Sequence, residues 1–444
     1  MATSPSAASS PVHEPVHEAV LETVRGCAQR AARGSASLVN APESAIDAAL
    51  RGMAERVRSA APALIEANAA DLAAAQESGM SEALQDRLRL TAERLEAMSA
   101  QLTALADVPD EPRDRVVEHR PDGLTLLERR RPVGVIGANF EARPNVTVDI
   151  ASQLLKSRNG GVLRTGSAAL RSSQALMNAV VAPALAEAGL DPDAIQLIPV
   201  EDRSAAYALV AVPDLVPLVI LRGSGESTRD LAREAAQHGV RTLAHADGGG
   251  VLYIAPGASA ELAHRMIEES LDRLGVCNRL NLLLIDRELH DELLPGILDL
   301  LKRLGIDASL PPHAHPRGFE WALDSERAAT VTIDAADGPA DAARIANEET
   351  SGLAAAVATD DAEVAARFLD AYGGSGAFWN CPTRLLDGFK LLRLPETGIN
   401  IDRVPGPRGP VTFHDLSLRQ YVTVPTQVAS GVSDAHSFGL IRRS

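Results

Sequence analysis

From about residue 124 onward, short apolar runs alternate with helical stretches, and this alternation constrains the fold more than any other feature of the chain. The runs are RPVGVIGANF, GGVLRTG, IQLIPV and LVPLVILRG, followed by VLYIAP, LNLLLID, ATVTID, LAAAVAT and GAFWN. Between them lie segments of helical pattern such as VDIASQLLKS, SSQALMNAVVAPALAEAG, SAELAHRMIEESLDRLG and DAEVAARFLDAYG. Strands that are apolar throughout and separated by helices predict parallel sheets covered on both faces. The strands are too many for one small sheet. The reading is therefore an α/β chain with two α/β domains, their boundary near Gly248-Gly249-Gly250.

The first hundred residues have a different texture. Residues 1–12 are rich in Ser, Ala and Pro and read as a flexible tail. Beyond them the pattern is helical to about residue 107. Ile46, Leu50, Met53 and Val57 fall on one stripe of a helix. Pro62 interrupts, a second helix ends near Gly79 in a glycine C-cap, and Thr91 starts a third as N-cap, with Glu93 in its first turn. This region reads as packing surface and shows no chemistry.

With 444 residues the chain has room for two or three domains. Its 43 Lys plus Arg against 59 Asp plus Glu give a net charge of −16, which argues against nucleic acid as a partner. Small anionic substrates stay open, because a local arginine pocket overcomes the general field. Three dispersed cysteines (Cys27, Cys277, Cys381) make neither a disulfide framework nor a zinc site and point to a reducing compartment. The N-terminus lacks the basic start and apolar core of a secretory signal, and no uncharged apolar run is long enough to span a membrane. The expectation is a soluble, cytoplasmic protein that uses no metal.

Four places carry candidate chemistry. Cys277, in GVCNRLNLLLID, stands between a helix and an apolar strand, where a helix terminus or backbone amides favour the thiolate; on local sequence alone the small core residue that most cysteines are is the commoner reading. Cys381 in FWNCPTR has the same two readings, and Cys27 reads as inert. FEARPNVTVD follows the strand VGVIG, where α/β sheets bind ligands: Glu141 and Arg143 can orient a charged substrate and the Asn145 amide can meet an oxyanion, or the Arg–Glu pair is simply solvated. The turn LRGSGEST, with Arg222, Gly223, Ser224 and Gly225, precedes a helix and allows backbone amides to approach a pyrophosphate. Arg164 in VLRTGS ends the strand before it and can reach a ribose phosphate, or is an exposed strand-end arginine. His245-Ala246-Asp247-Gly248 can line a cleft. His313 and His315 in HAHPR have no acidic or cysteine neighbour in sequence and read as a loop.

The order of these pieces carries a resemblance. A strand ends in xExRPNVTVD; LKSxN, a strand ending in Arg-x-Gly-Ser, an arginine–glycine loop, a His-x-x-Gly turn and VCN before an apolar strand follow. The chain resembles the γ-glutamyl phosphate reductases (glutamate-5-semialdehyde dehydrogenases), a branch of the aldehyde dehydrogenase superfamily, over nearly its whole length, from ANAADLAAAQESGMSEALQDRL to WNCPTRLLDG and the RGP…YV ending. RPNVTVD is the most specific piece. The resemblance implies an aldehyde-dehydrogenase-like fold. A Rossmann-type cofactor domain with the N-terminal helices would span 13–245, with an oligomerisation strand near 124–131. A catalytic domain would span 246–395 and a return to the cofactor domain with the oligomerisation element 396–444.

The resemblance further implies NADPH-dependent reduction of L-glutamyl 5-phosphate to the semialdehyde, on the route to proline, through a thioester on Cys277 with Asn145 supporting the oxyanion. Glu141, Arg143, Asn278, Asn380, Thr383 and Arg384 would bind substrate. Arg164, Gly166, Ser167, Arg222, Gly223, Ser224, Gly225, His245 and Gly248 would bind the NADPH/NADP cofactor. Partners would be a small acyl phosphate or semialdehyde, further copies of the chain in a homo-oligomer, and the upstream glutamate kinase.

Several positions depart from the family pattern. Phe140 and Ala142 replace Tyr and Ser, Asn281 stands in the acidic position of CNxxE, Leu353 stands where histidine is expected, WNCPT replaces WNAST, and LLRLPETGINI replaces FGxGAEIGIST while keeping Glu396 and Gly398. These departures leave two other readings: a diverged reductase acting on a different acyl phosphate, and a non-catalytic partner of the kinase. A CoA-acylating enzyme shares the thioester step but is disfavoured by RPNVTVD.

Overall fold

The computed structural model describes residues 17–429 except 110, 224, 246, 325, 404 and 405, so the expected tail at 1–12 and the end of the 396–444 segment lie outside the described residues. Apolar side chains at helical spacing give five N-terminal helices: α1 (Glu18–Val39), α2 (Glu43–Ser59), α3 (Ala61–Glu77), α4 (Glu82–Leu88) and α5 (Ala92–Ala106). Ile46, Leu50, Met53 and Val57 of α2 are all fully buried. Pro62 sits in the first turn of α3, where its missing N–H has no helical partner to lose. Gly79, at φ 73°, ends that helix region, and Thr91 Oγ1 accepts the Arg94 amide at the start of α5.

The chain then forms β1 (Asp114–His119), β2 (Leu124–Pro132) and β3 (Val135–Phe140), followed by α6 (Asn145–Lys156), β4 (Gly160–Thr165), α7 (Leu170–Leu176), α8 (Ala182–Glu187), β5 (Ile195–Leu197), α9 (Ser204–Val210), β6 (Leu218–Arg222), α10 (Gly225–Gln237) and β7 (Arg241–His245). Strands β3 to β7 make a five-stranded parallel sheet in the order β5-β4-β3-β6-β7. Successive side chains of β3 point to opposite faces, and both faces are covered. Ile136, Ala138 and Phe140 join the core built with α2, α5 and α6, whereas Val135 joins the one built with α1 and α9. The strand order reverses direction between β3 and β6. That is the switch point where open α/β sheets leave a crevice at the carboxyl ends of their strands.

Beyond β7 the chain enters a second parallel sheet. Its elements are β8 (Gly250–Ile254), α11 (Ala260–Ser270), β9 (Leu280–Asp286), α12 (Arg287–Arg303), β10 (Asp307–Ser309), β11 (Thr330–Ala336), α13 (Pro339–Glu349), β12 (Ala354–Ala358), α14 (Ala362–Ala371) and β13 (Gly376–Trp379). The order is β10-β11-β9-β8-β12-β13, all neighbours parallel, with apolar cores on both faces. Pairing of β8 with β9 slips between Gly250 and Val251, which leaves Asn281 as the extra residue of a bulge. Leu353, where the family has histidine, is fully buried in this core.

After α15 (Gly388–Leu392) the chain returns to the first half as β14 (Gly398–Asn400), which packs beside β7 and pairs with β15 (Gly409–Val411). The segment ends with β16 (Ser417–Pro425) and the single turn α16 (Thr426–Ala429). β16 pairs antiparallel with β2, and β2 with β1, in a sheet that stands apart from the two parallel ones. Val116, Val117, Leu418 and Tyr421 of this arm are exposed apolar side chains. Asn159 fastens its root. Fully buried, it accepts the Gly134 amide on Oδ1 (3.1 Å) and donates from Nδ2 to Leu416 O (2.8 Å). Replacing it with alanine strands both backbone groups, so Asn159→Ala is expected to lose about 3 kcal/mol in urea unfolding; a loss under 1 kcal/mol would contradict this role.

Candidate active site

Cys277 lies in the turn between α11 and β9, and three glycines let the neighbouring chain pass flush against it. A Cβ on Gly248 would stand 2.7 Å from Cys277 O and 2.8 Å from its Cα, and would also strike the Glu320 carboxylate. Gly249, at φ 118°, donates its amide to Cys277 O at 2.6 Å, and Gly250 donates to Arg279 O at 2.8 Å. The other side of the turn is held by side chains. Thr383 Oγ1 donates to Asn278 O (2.9 Å), and Asn278 Nδ2 donates to Leu386 O (2.8 Å). Arg384 bonds Asn278 Oδ1 and, through Nε, Asp272 (2.6 Å). Arg279 donates to the carbonyls of Ala328 and Thr330, and Arg87 of α4 donates to Gly275 O (2.9 Å). The nucleophile candidate is clamped from both halves of the molecule.

The second part of the site is the bend from β3 into α6. Ala142 takes φ 37° there, which turns the chain so that Arg143 and Asn145 follow at the carboxyl end of the sheet. Asn145 opens α6, and its Nδ2 donates to Asp149 Oδ2 one turn later at 2.9 Å. One N–H of that amide is thereby oriented, leaving the other to a ligand. Asp149 is pushed up to about 6 by burial, against the pull of Arg222, the Asn145 hydrogen bond and Arg143. Arg143 is pushed down to about 10 by burial and by the like charges of Arg222, Arg87 and Arg273.

Cys277 belongs to the same electrostatic unit. Its thiol is pushed up to about 11, first by burial and then by Glu396 and Glu320, while Arg143 and Arg222 pull it down. This corrects the expectation that the turn favours the thiolate: dehydration outweighs the two arginines in the unliganded site. Cys277 is partly buried.

A crevice runs along the carboxyl ends of the first sheet. Gly223 follows β6, and a Cβ there would meet Glu141 Oε1 at 3.0 Å. Arg164 ends β4 almost fully buried, bonding Asn139 Oδ1 and Asp202 O at 3.3 Å each, with its Nε unpartnered, as is the buried hydroxyl of Thr165 beside it. An exposed strand-end arginine is therefore not what the structure has. Two orphaned buried donors at a switch-point crevice suit a ligand that brings acceptors, as the phosphates and ribose of a nicotinamide cofactor do.

The expected site residues divide accordingly. Arg143, Asn145, Arg222 and Cys277 share one electrostatic site, so Arg222 acts on the thiol side as well as at the glycine turn. Glu141 sits instead at the crevice, against Gly223 and near Arg164. Gly166 and Ser167 begin the turn after β4, and Gly225 begins α10. Ser224 lies outside the described residues, and His245 ends β7. Asn278, Thr383 and Arg384, read as substrate contacts, spend their polar atoms holding the Cys277 turn. The Asn380 carboxamide is committed to the backbone of Thr359, accepting its amide and donating to its carbonyl at 3.0 Å each.

His313 gains an acidic neighbour that the sequence does not show, Asp334, at 3.7 Å, but no three His, Cys, Asp or Glu gather as a metal site among the described residues. Sequence reasoning missed Asp149, Arg87 and Glu320. Asp149 was visible as the last letter of RPNVTVD; nothing local marks Glu320, which arrives from the loop after HAHPR.

Comparison with known proteins agrees with this arrangement. A profile of the aldehyde dehydrogenase family matches residues 2–315. The chain is 35% identical over 409 residues to a γ-glutamyl phosphate reductase of Opitutus terrae, covering 88% of this chain and 94% of that one. It is 34% identical over 403 residues to one of Zymomonas mobilis, covering 88% and 92%. Among solved structures, γ-glutamyl phosphate reductase of Thermotoga maritima superposes with a TM-score of 0.83 at 26% identity, over 90% of this chain and 98% of that one. An acetylating aldehyde dehydrogenase of Geobacillus thermoglucosidasius shares the fold, with a TM-score of 0.68 at 15% identity over 91% and 97%.

With the thiol titrating near pH 11, alkylation of Cys277 by iodoacetamide, followed by peptide mass, should climb about tenfold per pH unit from pH 7 to 9 without a plateau. Removing a negative neighbour favours the thiolate, so Glu396→Gln should speed alkylation at pH 8, and Arg222→Gln should slow it. A plateau near pH 8 in the unliganded protein would overturn the assignment.

Proposed function

This chain belongs to the γ-glutamyl phosphate reductases of the aldehyde dehydrogenase family, and on that premise we propose that it reduces L-glutamyl 5-phosphate to L-glutamate 5-semialdehyde and phosphate in proline biosynthesis. The observation that carries this reading is the shared electrostatic site of Cys277, Arg143, Arg222 and the Asn145–Asp149 pair.

The acyl phosphate brings negative charge to two arginines that repel one another, which repays their burial and screens the thiol from Glu396 and Glu320. Cys277 sulfur attacks the acyl carbon while the thiol proton passes to an oxygen of the substrate phosphate, which leaves with it. The second N–H of the Asn145 amide, its orientation fixed by Asp149, meets the oxyanion that forms. Collapse of the tetrahedral species breaks the C–O bond to phosphate and leaves a thioester on Cys277. Arg164, Thr165, Gly223, Gly225 and the start of α10 would hold a reduced nicotinamide cofactor along the crevice, and that cofactor would supply the hydride. Asn145 meets the oxyanion a second time when the thioester carbon becomes tetrahedral; collapse to the aldehyde breaks the C–S bond, and the Cys277 thiolate takes a proton from water.

The purified protein, run in the oxidative direction with NADP, phosphate and glutamate 5-semialdehyde, is expected to turn over. Cys277→Ala should abolish the reaction, and Asn145→Ala should lower kcat about 100- to 1000-fold with little change in KM. Turnover of a related semialdehyde with none of the glutamate compound would favour the diverged reading, which the buried Asn281 carboxamide, unpartnered at both atoms, supports.

NADPH is the proposed form of the cofactor, on account of Arg164 and its unpartnered Nε. Arg164→Ala should raise the KM for NADPH at least tenfold more than that for NADH; equal losses remove the assignment. A homo-oligomer assembled through the β1–β2–β16 arm, a cytoplasmic location, and delivery of the labile acyl phosphate by the upstream kinase complete the proposal. Among the described residues no helix is long and apolar enough to cross a membrane.

A further inference from the structure

Helix α6 has Asn145 at one end, and at the other it borders a cavity of about 90 Å³ that the proposed reaction does not use. About 10–15 Å³ on this scale holds one water, so the space takes several. Its walls are the C-terminal turn of α6, the roots of β1 and β2, and the 413–417 segment.

Charge in the walls is unbalanced. Two carboxylates, Glu43 and Glu111, line the cavity, and both are already engaged. Glu43 meets Lys156 Nζ at 2.8 Å and Arg158 Nη2 at 2.7 Å, and Lys156 is shared with Asp47 at 2.8 Å. Glu111 pairs with Arg130. Arg113 and Arg131 remain. The half-buried Arg113 guanidinium has no hydrogen-bond or ion-pair partner among the described residues, and Arg131 reaches only Gln420 Oε1, at 3.5 Å. Arg113 is held below the usual arginine range by burial and by the positive charges of Arg158, Arg129 and Arg131, with relief from Asp114 alone. Asp114 is itself bonded to Arg129 at 2.6 Å and 2.8 Å.

We propose that this cavity binds a small, doubly charged oxyanion of the phosphate class, gripped by Arg113 and Arg131 beside the Lys156–Arg158 end of α6. Guanidinium forks match the oxygens of such an anion, and two arginines with no carboxylate of their own supply the charge. The same cations offset the carbonyl end of the helix dipole, which would otherwise repel it. The walls are already joined, because Gln153 Oε1 accepts the Phe413 amide at 2.6 Å and Asn159 donates to Leu416 O. An anion between Arg113 and Arg131 therefore sits where the root of the β1–β2–β16 arm meets the end of the helix that carries Asn145. The site stands independently of the reaction proposed above.

The test is the melting temperature of the full chain against inorganic phosphate, with chloride holding the ionic strength constant. A saturable rise is expected in the wild type and in Arg143→Gln, whose change lies in the catalytic site. Arg113→Gln/Arg131→Gln should lose the rise while keeping turnover within twofold of wild type. Absence of a saturable rise in the wild type, or its loss in Arg143→Gln with retention in the double variant, overturns the proposal. Arg131 is exposed, so Arg131→Gln alone keeps the test open should the double variant not fold. Its apparent phosphate affinity is expected to fall at least fivefold, and an unchanged affinity overturns the site.

Discussion

Arg143 and Arg222, both half-buried, repel one another, and the proposed chemistry is arranged around that repulsion. Arg143 and Arg222 enter one site from the ends of adjacent strands, and Arg87 and Arg273 add to the positive field. Burying such charges is costly unless counter-charge is supplied. Within the chain that counter-charge is partial. Asp149 answers from one turn into α6, but its own burial raises it to about 6. Glu396, from the returning segment, bears on the thiol, which it pushes up. The acyl phosphate proposed as substrate would complete the balance, a local positive field inside a chain of net charge −16.

The same economy governs the nucleophile. Burial, Glu396 and Glu320 push the Cys277 thiol up by more than Arg143 and Arg222 pull it down. What the fold invests in is position. Gly248 and Gly249 press against one side of its turn, while Asn278, Thr383 and Arg384 grip the other. The carboxamide, hydroxyl and guanidinium that hold the turn have most of their bonding capacity engaged there. Specificity is left to the few groups that keep bonding capacity, Asn145 foremost.

Much of this was legible in the chain itself, because it depends on short-range order. The stripe of Ile46, Leu50, Met53 and Val57, the glycine and threonine at the helix ends, and the alternation that makes two parallel sheets all rest on local pattern. RPN and VCN were legible as chemistry for the same reason. What was hidden depends on contacts across long stretches of chain. No local rule brings Glu320 to Gly248, or Arg87 to Gly275 across 188 positions. Arg164 reads equally as a ribose-phosphate contact and as an exposed strand end until the loop after β5 brings the Asp202 carbonyl to it. Asn380, Thr383 and Arg384 have the side chains of a binding site, and only the three-dimensional network reveals them as scaffolding. The thiol's protonation depends on burial, which one turn of sequence does not disclose.

The path between the two sheets has a mechanical meaning. The chain leaves the first half after β7 and comes back as β14, which lies directly beside β7. The two crossings are neighbours, so they form one pivot line instead of a rigid two-point brace, and Gly398 on that line touches Arg222. The polypeptide carrying the reactive sulfur is thus a closed excursion whose departure and arrival coincide. A rotation of that excursion would change the gap between Cys277 and Asn145, and it would have to part Arg87 from Gly275 O, the bond by which the first half holds the turn.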